Sequence, residues 1–354
     1  MTGFSLYDTN TLVAIVPSLF RPQSFLLDSF FPNVVTSDSE FVSIDVEAGE
    51  RRLSPFVSPL VAGKVVEQLS YATNTFKPPY IKDKISPDIR KPVRRMIGER
   101  IGGDKDGPER WAANIALELE NQIKRLTRRL EWMASQALQT GHVIVSGDGF
   151  QTADVDFKRD ASLTVTKSGS AKWTVANVLA GTATPVKDIE HMQRTIMKLS
   201  GAHINKVLFT TSAWDGFVAD PILKGSEYFP SLAPFGNQIN IGSEIVPGAI
   251  YKGKFGQFEL YNYTDFYRDD SGNLQPMLTD GKVILAGPDL MGIRAFGQIM
   301  DPKFNFAALP FAPKSYFSED PAQFFILMQS APLVVPARVD ASACIVACDA
   351  VFDV

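Results

Sequence analysis

A single stretch constrains this chain more than any other. Between Pro108 and Gly141, apolar side chains recur at Trp111, Ile115, Leu119, Ile123, Leu126, Leu130, Met133 and Ala137, in steps of four and three that keep one stripe along a helix. Pro108 suits a first turn, where its missing N–H is one of the orphans anyway, and Gly141 stands where a left-handed cap is wanted. The spacing predicts a helix over 108–140, a rod of roughly 50 Å. A rod that long in a chain of 354 residues organises a whole lobe. Glu118, Lys124, Arg125, Arg128 and Arg129 fall on the opposite face, where they meet solvent or a partner.

Residues 56–87, FVSPLVAGKVVEQLSYATNTFKPPYIKDKISP, set the contrasting problem. The stretch begins like a buried strand and then takes on prolines that neither a helix nor a central strand accepts. It carries only six charges along its length, so an isolated copy would expose an extended arm dotted with Phe, Tyr and Pro. Such a surface makes sense when a second copy of the chain covers it. The N-terminal run FLLDSFF, residues 25–31, raises the same expectation of missing apolar cover.

Other segments read as mixed strands and helices. HVIVSGDGFQTADVDF alternates about a Gly-Asp-Gly turn and predicts a hairpin. A helix is expected over 185–200, with Thr184 as cap, Pro185 in the first turn, and Ile189, Met192, Ile196 and Leu199 on one face. KVLFTT predicts a strand and SAWDGFVADPIL a short helix capped by Ser212. FGQFELYNY and GKVILAG, strand-like runs between Gly253 and Gly287, flank the polar turn RDDSGN, and the C-terminal run ASACIVACDAVFDV alternates like a final strand. The 25 Phe and 23 Pro fit many short, punctuated strands. Without regular strand–helix alternation the class is α+β rather than doubly wound.

Chemistry-bearing motifs are scarce. His142, His191 and His203 have no metal-ligand spacing. The glycines of GERIGGDKDG lack the phosphate-cradle pattern, and DDSGN has its Gly at the fourth position where a calcium loop needs the sixth. Cys344 and Cys348 would stand about 13 Å apart on a strand, too far for a disulfide, and read as reduced, packed thiols. Asp154 and Asp156 share a strand face and are the first residues to test under a carboxylate-hydrolase reading. No G-x-S-x-G and no Ser or Cys with a recognisable base is present. These residues call for no catalytic group, metal or cofactor. A net charge of −4 gives no polycationic surface for condensing nucleic acid. The apolar run TLVAIVPSLF is too short to span a bilayer and has no basic residue ahead of it, so the protein is expected to stay where it is made, away from membranes.

The order of several segments carries a resemblance. FLLDSFFP, FVSPLVAGKVV, PPYIKDKISP, the paired Arg94 and Arg95, the long helix, ADVDF, YKGKFGQFELYNY, GIRAFGQI and DPAQFFILMQSAPLVV occur in the order seen in the phage lambda major head protein E family. The chain resembles that family from Phe25 to Val335.

The resemblance implies the Hong Kong 97-like capsid fold of tailed phages. Its map would make 1–45 an N-terminal arm, 46–100 an extended E-loop, 101–175 a peripheral domain with its spine helix, 176–295 an axial domain, 296–330 the peripheral return strands, and 331–354 a strand rejoining the axial domain. The lambda-like relatives tend to be charged and helical over 224–253, whereas this chain is apolar and broken by proline there. The implied function is a major capsid protein forming hexamers and pentamers of an icosahedral head around double-stranded DNA. The DNA would touch the inner surface without sequence preference. Portal, scaffolding and decoration proteins are the other implied partners, and the implied place is the virion, assembled in the bacterial cytoplasm. Phe56, Pro59, Phe76, Pro79, Tyr80, Arg94 and Arg95 are the expected subunit-interface residues. An encapsulin-type nanocompartment shell is the alternative within the same fold.

Overall fold

The computed structural model describes residues 12–13, 24–47, 71–87, 107–147, 153–224, 245–246, 248–269, 271–318 and 323–350. In chain order these form α1 (Phe25–Phe30), β1 (Asn33–Thr36), β2 (Val42–Glu47), β3 (Tyr71–Phe76), β4 (Ile81–Ile85), α2 (Gly107–Thr140), β5 (His142–Val145) and β6 (Ala153–Asp156). There follow β7 (Thr164–Thr166), α3 (Val175–Leu179), α4 (Pro185–Leu199), β8 (Lys206–Phe209), α5 (Thr211–Val218), α6 (Pro221–Lys224), β9 (Ile245–Val246), β10 (Ala249–Phe255), β11 (Phe258–Tyr263), β12 (Phe266–Arg268) and β13 (Leu274–Pro276). The chain continues through β14 (Lys282–Ala286), β15 (Gly292–Phe296), β16 (Ala312–Ser318), β17 (Gln323–Ser330), β18 (Pro332–Pro336) and β19 (Ala343–Val346).

The rod α2 is the frame of the molecule. Seven residues of its stripe, from Ile115 to Ala137, are buried, and the eighth, Trp111, packs edge-on against Phe324 with ring centroids 5.6 Å apart. Burial of each large apolar side chain is worth about 1.5–3 kcal/mol. Gly141 ends the helix at φ +76°, its N–H donating to the Ala137 carbonyl at 2.9 Å. A Cβ there would come within 2.8 Å of Arg159 Cβ, so the cap needs glycine on two counts.

Three sheets are built around this frame. The largest has the order β7-β19-β14-β8-β11-β10-β9, and the central strand β8 buries Val207, Leu208 and Phe209 completely. β8 runs parallel to β11 and antiparallel to β14, the mixed pairing of an α+β domain. A second sheet, β16-β17-β4, joins the end of the 56–87 stretch to the late strands, and Gln122 of α2 donates to the Asp83 carbonyl in β4 at 2.8 Å. The third, β1-β15-β18, lays β18 against α2 with all five of its residues buried.

The β5–β6 hairpin forms where alternation predicted it. The polar turn RDDSGN joins two short strands instead of the flanking runs, β12 pairing with β13 around Gly272 at φ +84°, while β11 and β14 each pair with β8. The helix over 185–199 starts at Pro185 as expected, but Thr184 makes no side-chain cap bond. Asp220, distant in sequence, accepts from Val186 N at 3.1 Å instead. Ser212 lies inside α5 rather than capping it, and its N–H and hydroxyl both donate to Asp280. In both places a buried carboxylate from elsewhere in the fold displaces the local cap. The apolar stretch 225–244 lies outside the described residues.

Candidate assembly surface

FLLDSFF folds into α1, and the expectation that it lacks cover is corrected by the structure. Phe25, Leu26, Leu27, Phe30 and Phe31 are all buried within the subunit. Three charged side chains from three different elements hold this short helix. Glu131 of α2, itself 2% exposed, accepts from Leu26 N at 2.8 Å and Leu27 N at 3.0 Å, satisfying first-turn donors that have no partner within a helix. Arg294 of β15 donates Nε to the Phe31 carbonyl at 2.6 Å and reaches Asp28 at 3.2 Å. Lys206 places Nζ 5.8 Å above the ring of Phe25, 5.9 Å above Phe30 and 5.6 Å above Tyr261, and donates to Ser29 Oγ at 3.2 Å. Helix ends and aromatic faces are where such charges are best satisfied.

Glu131 also accepts from the Tyr263 hydroxyl at 2.9 Å. Burial pushes the Glu131 carboxyl up to about 7, against the opposing pull of these three hydrogen bonds. Burial raises the Tyr263 hydroxyl as well, and the adjoining Glu131 adds to it. The sequence reading missed this cluster. Its one visible signal was a lone acid at position 131, adjoining the apolar stripe on a helix where Arg125, Arg128 and Arg129 show the charged face.

A second polar network ties down the start of β4. Tyr80 donates its hydroxyl to Gln329 Oε1 at 2.7 Å, Gln329 donates to Asp301 at 3.0 Å, and Lys314 pairs with the same carboxylate. Burial pushes the Asp301 carboxyl up, but the bonds from Lys314, Gln329 and the Lys303 amide outweigh it and hold it at about 2.

Of the expected interface residues, Phe56, Pro59, Arg94 and Arg95 lie outside the described residues. Phe76 packs edge-on against Phe157 at 5.4 Å, Pro79 is buried and Tyr80 is half-buried. Pro79 and Tyr80 line a groove of about 740 Å³ with Lys82, Arg129, Trp132 and Ile144. Asp154 and Asp156 both contact one side chain. The His142 ring lies between them, with Nδ1 3.2 Å from Asp154 and Nε2 3.4 Å from Asp156, an arrangement that fastens the exposed β5–β6 hairpin. Cys344 and Cys348 are free and buried, and burial raises both thiols, Cys348 to about 11. Among the described residues no group of three or more His, Cys, Asp or Glu side chains is placed to hold a metal ion, and no helix is long and apolar enough to cross a membrane.

The outer surface, by contrast, is rich in apolar side chains. Val34, Phe41, Ile144, Leu179, Met300 and Phe317 are all exposed, and they belong to β1, the turn before β2, β5, α3, the segment after β15, and β16. A subunit with apolar residues on so many elements is suited to contacts with several neighbours.

This combination of spine helix, strand-built lobes and dispersed apolar surface is the capsid fold of tailed phages. A prophage protein of Escherichia coli CFT073, solved by crystallography, superposes with a TM-score of 0.71 at 23% identity, covering 96% of this chain and 98% of its own. The capsid of Ralstonia phage GP4 superposes at 0.52 with 11% identity, covering 92% and 91%. The chain belongs to the phage major capsid protein E family, whose sequence model matches residues 8–346. It is 26% identical to the major capsid protein of Escherichia phage N15 over 351 residues, and 25% identical to that of Escherichia phage lambda over 341. Each match covers 95% of this chain and 97% of the relative. Its role is therefore that of a structural subunit of a phage head, and its place is the virion capsid. The nanocompartment alternative within the same fold gives way to this family assignment.

Proposed function

We propose that copies of this chain form the hexameric and pentameric capsomers of an icosahedral head that encloses double-stranded DNA. The observation that carries this reading is the family match over nearly the whole chain, together with exposed apolar side chains at six separate places along it. Residues 1–45 act as the N-terminal arm and 46–100 as the extended loop. Residues 101–175 and 296–330 make the peripheral lobe, and 176–295 with 331–354 the axial lobe. Two sheets support this division. Most strands of the seven-stranded sheet fall between 206 and 346, whereas β16 and β17 pair with β4 beside α2. Phe56, Pro59, Phe76, Pro79, Tyr80, Arg94 and Arg95 contribute to contacts between subunits, the arginines because guanidinium forks suit interface carboxylates. Assembly takes place in the bacterial cytoplasm with portal and scaffolding proteins, and decoration proteins bind the finished shell. DNA meets the inner surface without sequence preference, as an acidic protein has no polycationic face for it.

Electron microscopy of the purified chain, alone and with a scaffolding protein, tests the reading. Closed shells or ring-shaped capsomers are expected. A monodisperse monomer at high concentration under both conditions would contradict it.

A further inference from the structure

The sheet β1-β15-β18 has two edges of opposite character. β18 begins and ends with proline, is buried throughout and rests on α2. β1 leaves its outer edge unpaired among the described residues, and all four of its side chains are exposed, Val34 at 54% and Val35 at 44%. An open, β-branched edge with no Lys, Pro or bulge in it is a template for another strand.

The ladder decides which groups this edge offers. Ser37 N donates to the Phe296 carbonyl at 2.9 Å, continuing the parallel register in which Thr36 stands beside Phe296. By the period of two, Asn33 and Val35 also turn their backbone groups toward β15, and Val34 and Thr36 turn theirs outward. Two N–H and two C=O groups therefore face the open side.

We propose that β1 pairs antiparallel with β1 of a second copy across a two-fold axis, an inference that rests on the self-assembly reading above. In the register that places Val34 opposite the partner's Thr36, all four outward groups on each strand are used and four backbone hydrogen bonds form. Val35 then faces its own counterpart at a non-hydrogen-bonded site, where side chains come closest and β-branched pairs are favourable. The neutrality of the segment fits this occupant. Residues 29–37 carry no charge, and Asp38 falls opposite the partner's Pro32, so the two-fold brings no like charges together. An isologous contact also needs only this one patch.

A cysteine scan tests the register. The native cysteines are buried, so Val35→Cys introduces the accessible thiol. Opposed Cβ atoms at such a site lie about 4.5–5.5 Å apart, close to disulfide reach. Mild oxidation should link Val35→Cys chains into covalent dimers, whereas Phe41→Cys, equally exposed but off the axis, should not. Adding Val34→Pro removes an outward N–H and leaves the in-chain ladder intact. Dimer yield should then fall by roughly tenfold or more, the factor that one or two lost backbone bonds carry. Absence of dimer above the Phe41→Cys level, or a dimer insensitive to Val34→Pro, overturns the inference. Shells that form without the Val35 cross-link would remove this contact and leave the self-assembly reading standing. A chain that sediments as a monomer at every concentration would defeat that reading itself.

Discussion

α1 and β1 adjoin in sequence, yet the rest of the chain treats them in opposite ways. α1 buries five of the seven residues in FLLDSFF and is held by Glu131, Arg294 and Lys206 from three elements. β1 begins three residues later, is paired along one edge alone among the described residues and exposes every side chain. A subunit can in this way carry an assembly segment without unfolding it. One half of the N-terminal segment is anchored by buried, charge-assisted bonds, and the other half is presented from that anchor at a defined place on the sheet.

The largest effect is expected where the frame behind the anchor fails. Leu126 is 4% exposed in the stripe of α2, and Leu126→Asp buries an unpaired charge at a cost of several kcal/mol. Soluble expression should collapse, whereas Arg128→Ala on the exposed face should change stability by less than about 0.5 kcal/mol. Similar behaviour of the two variants in thermal unfolding would show that the buried face is assigned wrongly.

Removal of the anchor itself comes next. Glu131→Ala strips the acceptor from Leu26 N, Leu27 N and the Tyr263 hydroxyl. Buried donors left unsatisfied cost about 1–3 kcal/mol each, so urea unfolding should show a loss of a few kcal/mol. A loss under about 1 kcal/mol would mean that α1 is held by its apolar contacts alone.

The same residue predicts a pH dependence that β1, a neutral strand, cannot produce. The Glu131 carboxyl is raised from its ordinary 4.5 to about 7 on folding, so the folded chain binds the proton more tightly than the unfolded one. The stability this contributes is complete below about pH 4.5 and is lost as pH rises toward 7. Glu131→Gln should flatten that part of the stability profile. A slope unchanged in the Gln variant would assign the effect to another group. The smallest effect is expected at the base of the arm, where Tyr80→Phe removes one bond to Gln329 and should cost roughly 1 kcal/mol, read as a shift in the urea midpoint.

How much of this was legible from residues alone follows the range of the interactions. The rod over 108–140 declared itself because eight apolar residues repeat at helical spacing, and Gly141 and Pro108 marked its ends by local backbone chemistry. The β5–β6 hairpin was equally local. The caps expected at Thr184 and Ser212 do not form because Asp220 and Asp280 arrive from other parts of the chain, and no local pattern encodes a partner dozens of residues away. FLLDSFF looked uncovered for the same reason, since its cover comes from α2, β8 and β15. Glu131 was hidden by being a charge beside an apolar stripe, a place where sequence alone cannot distinguish a buried acceptor from a solvated acid. The edge of β1 was invisible as well, because which of its backbone groups point outward depends on its pairing with β15.

Amide hydrogen exchange on the isolated subunit and on assembled particles compares the two halves of the segment directly. The Leu26 and Leu27 amides, donated to Glu131, should be protected in both states. The Val34 and Thr36 amides should exchange rapidly in the isolated subunit and become protected only in the particle. Protection of Val34 and Thr36 that does not change on assembly, or loss of Leu26 and Leu27 protection in the particle, would contradict an anchored α1 that presents β1 for assembly.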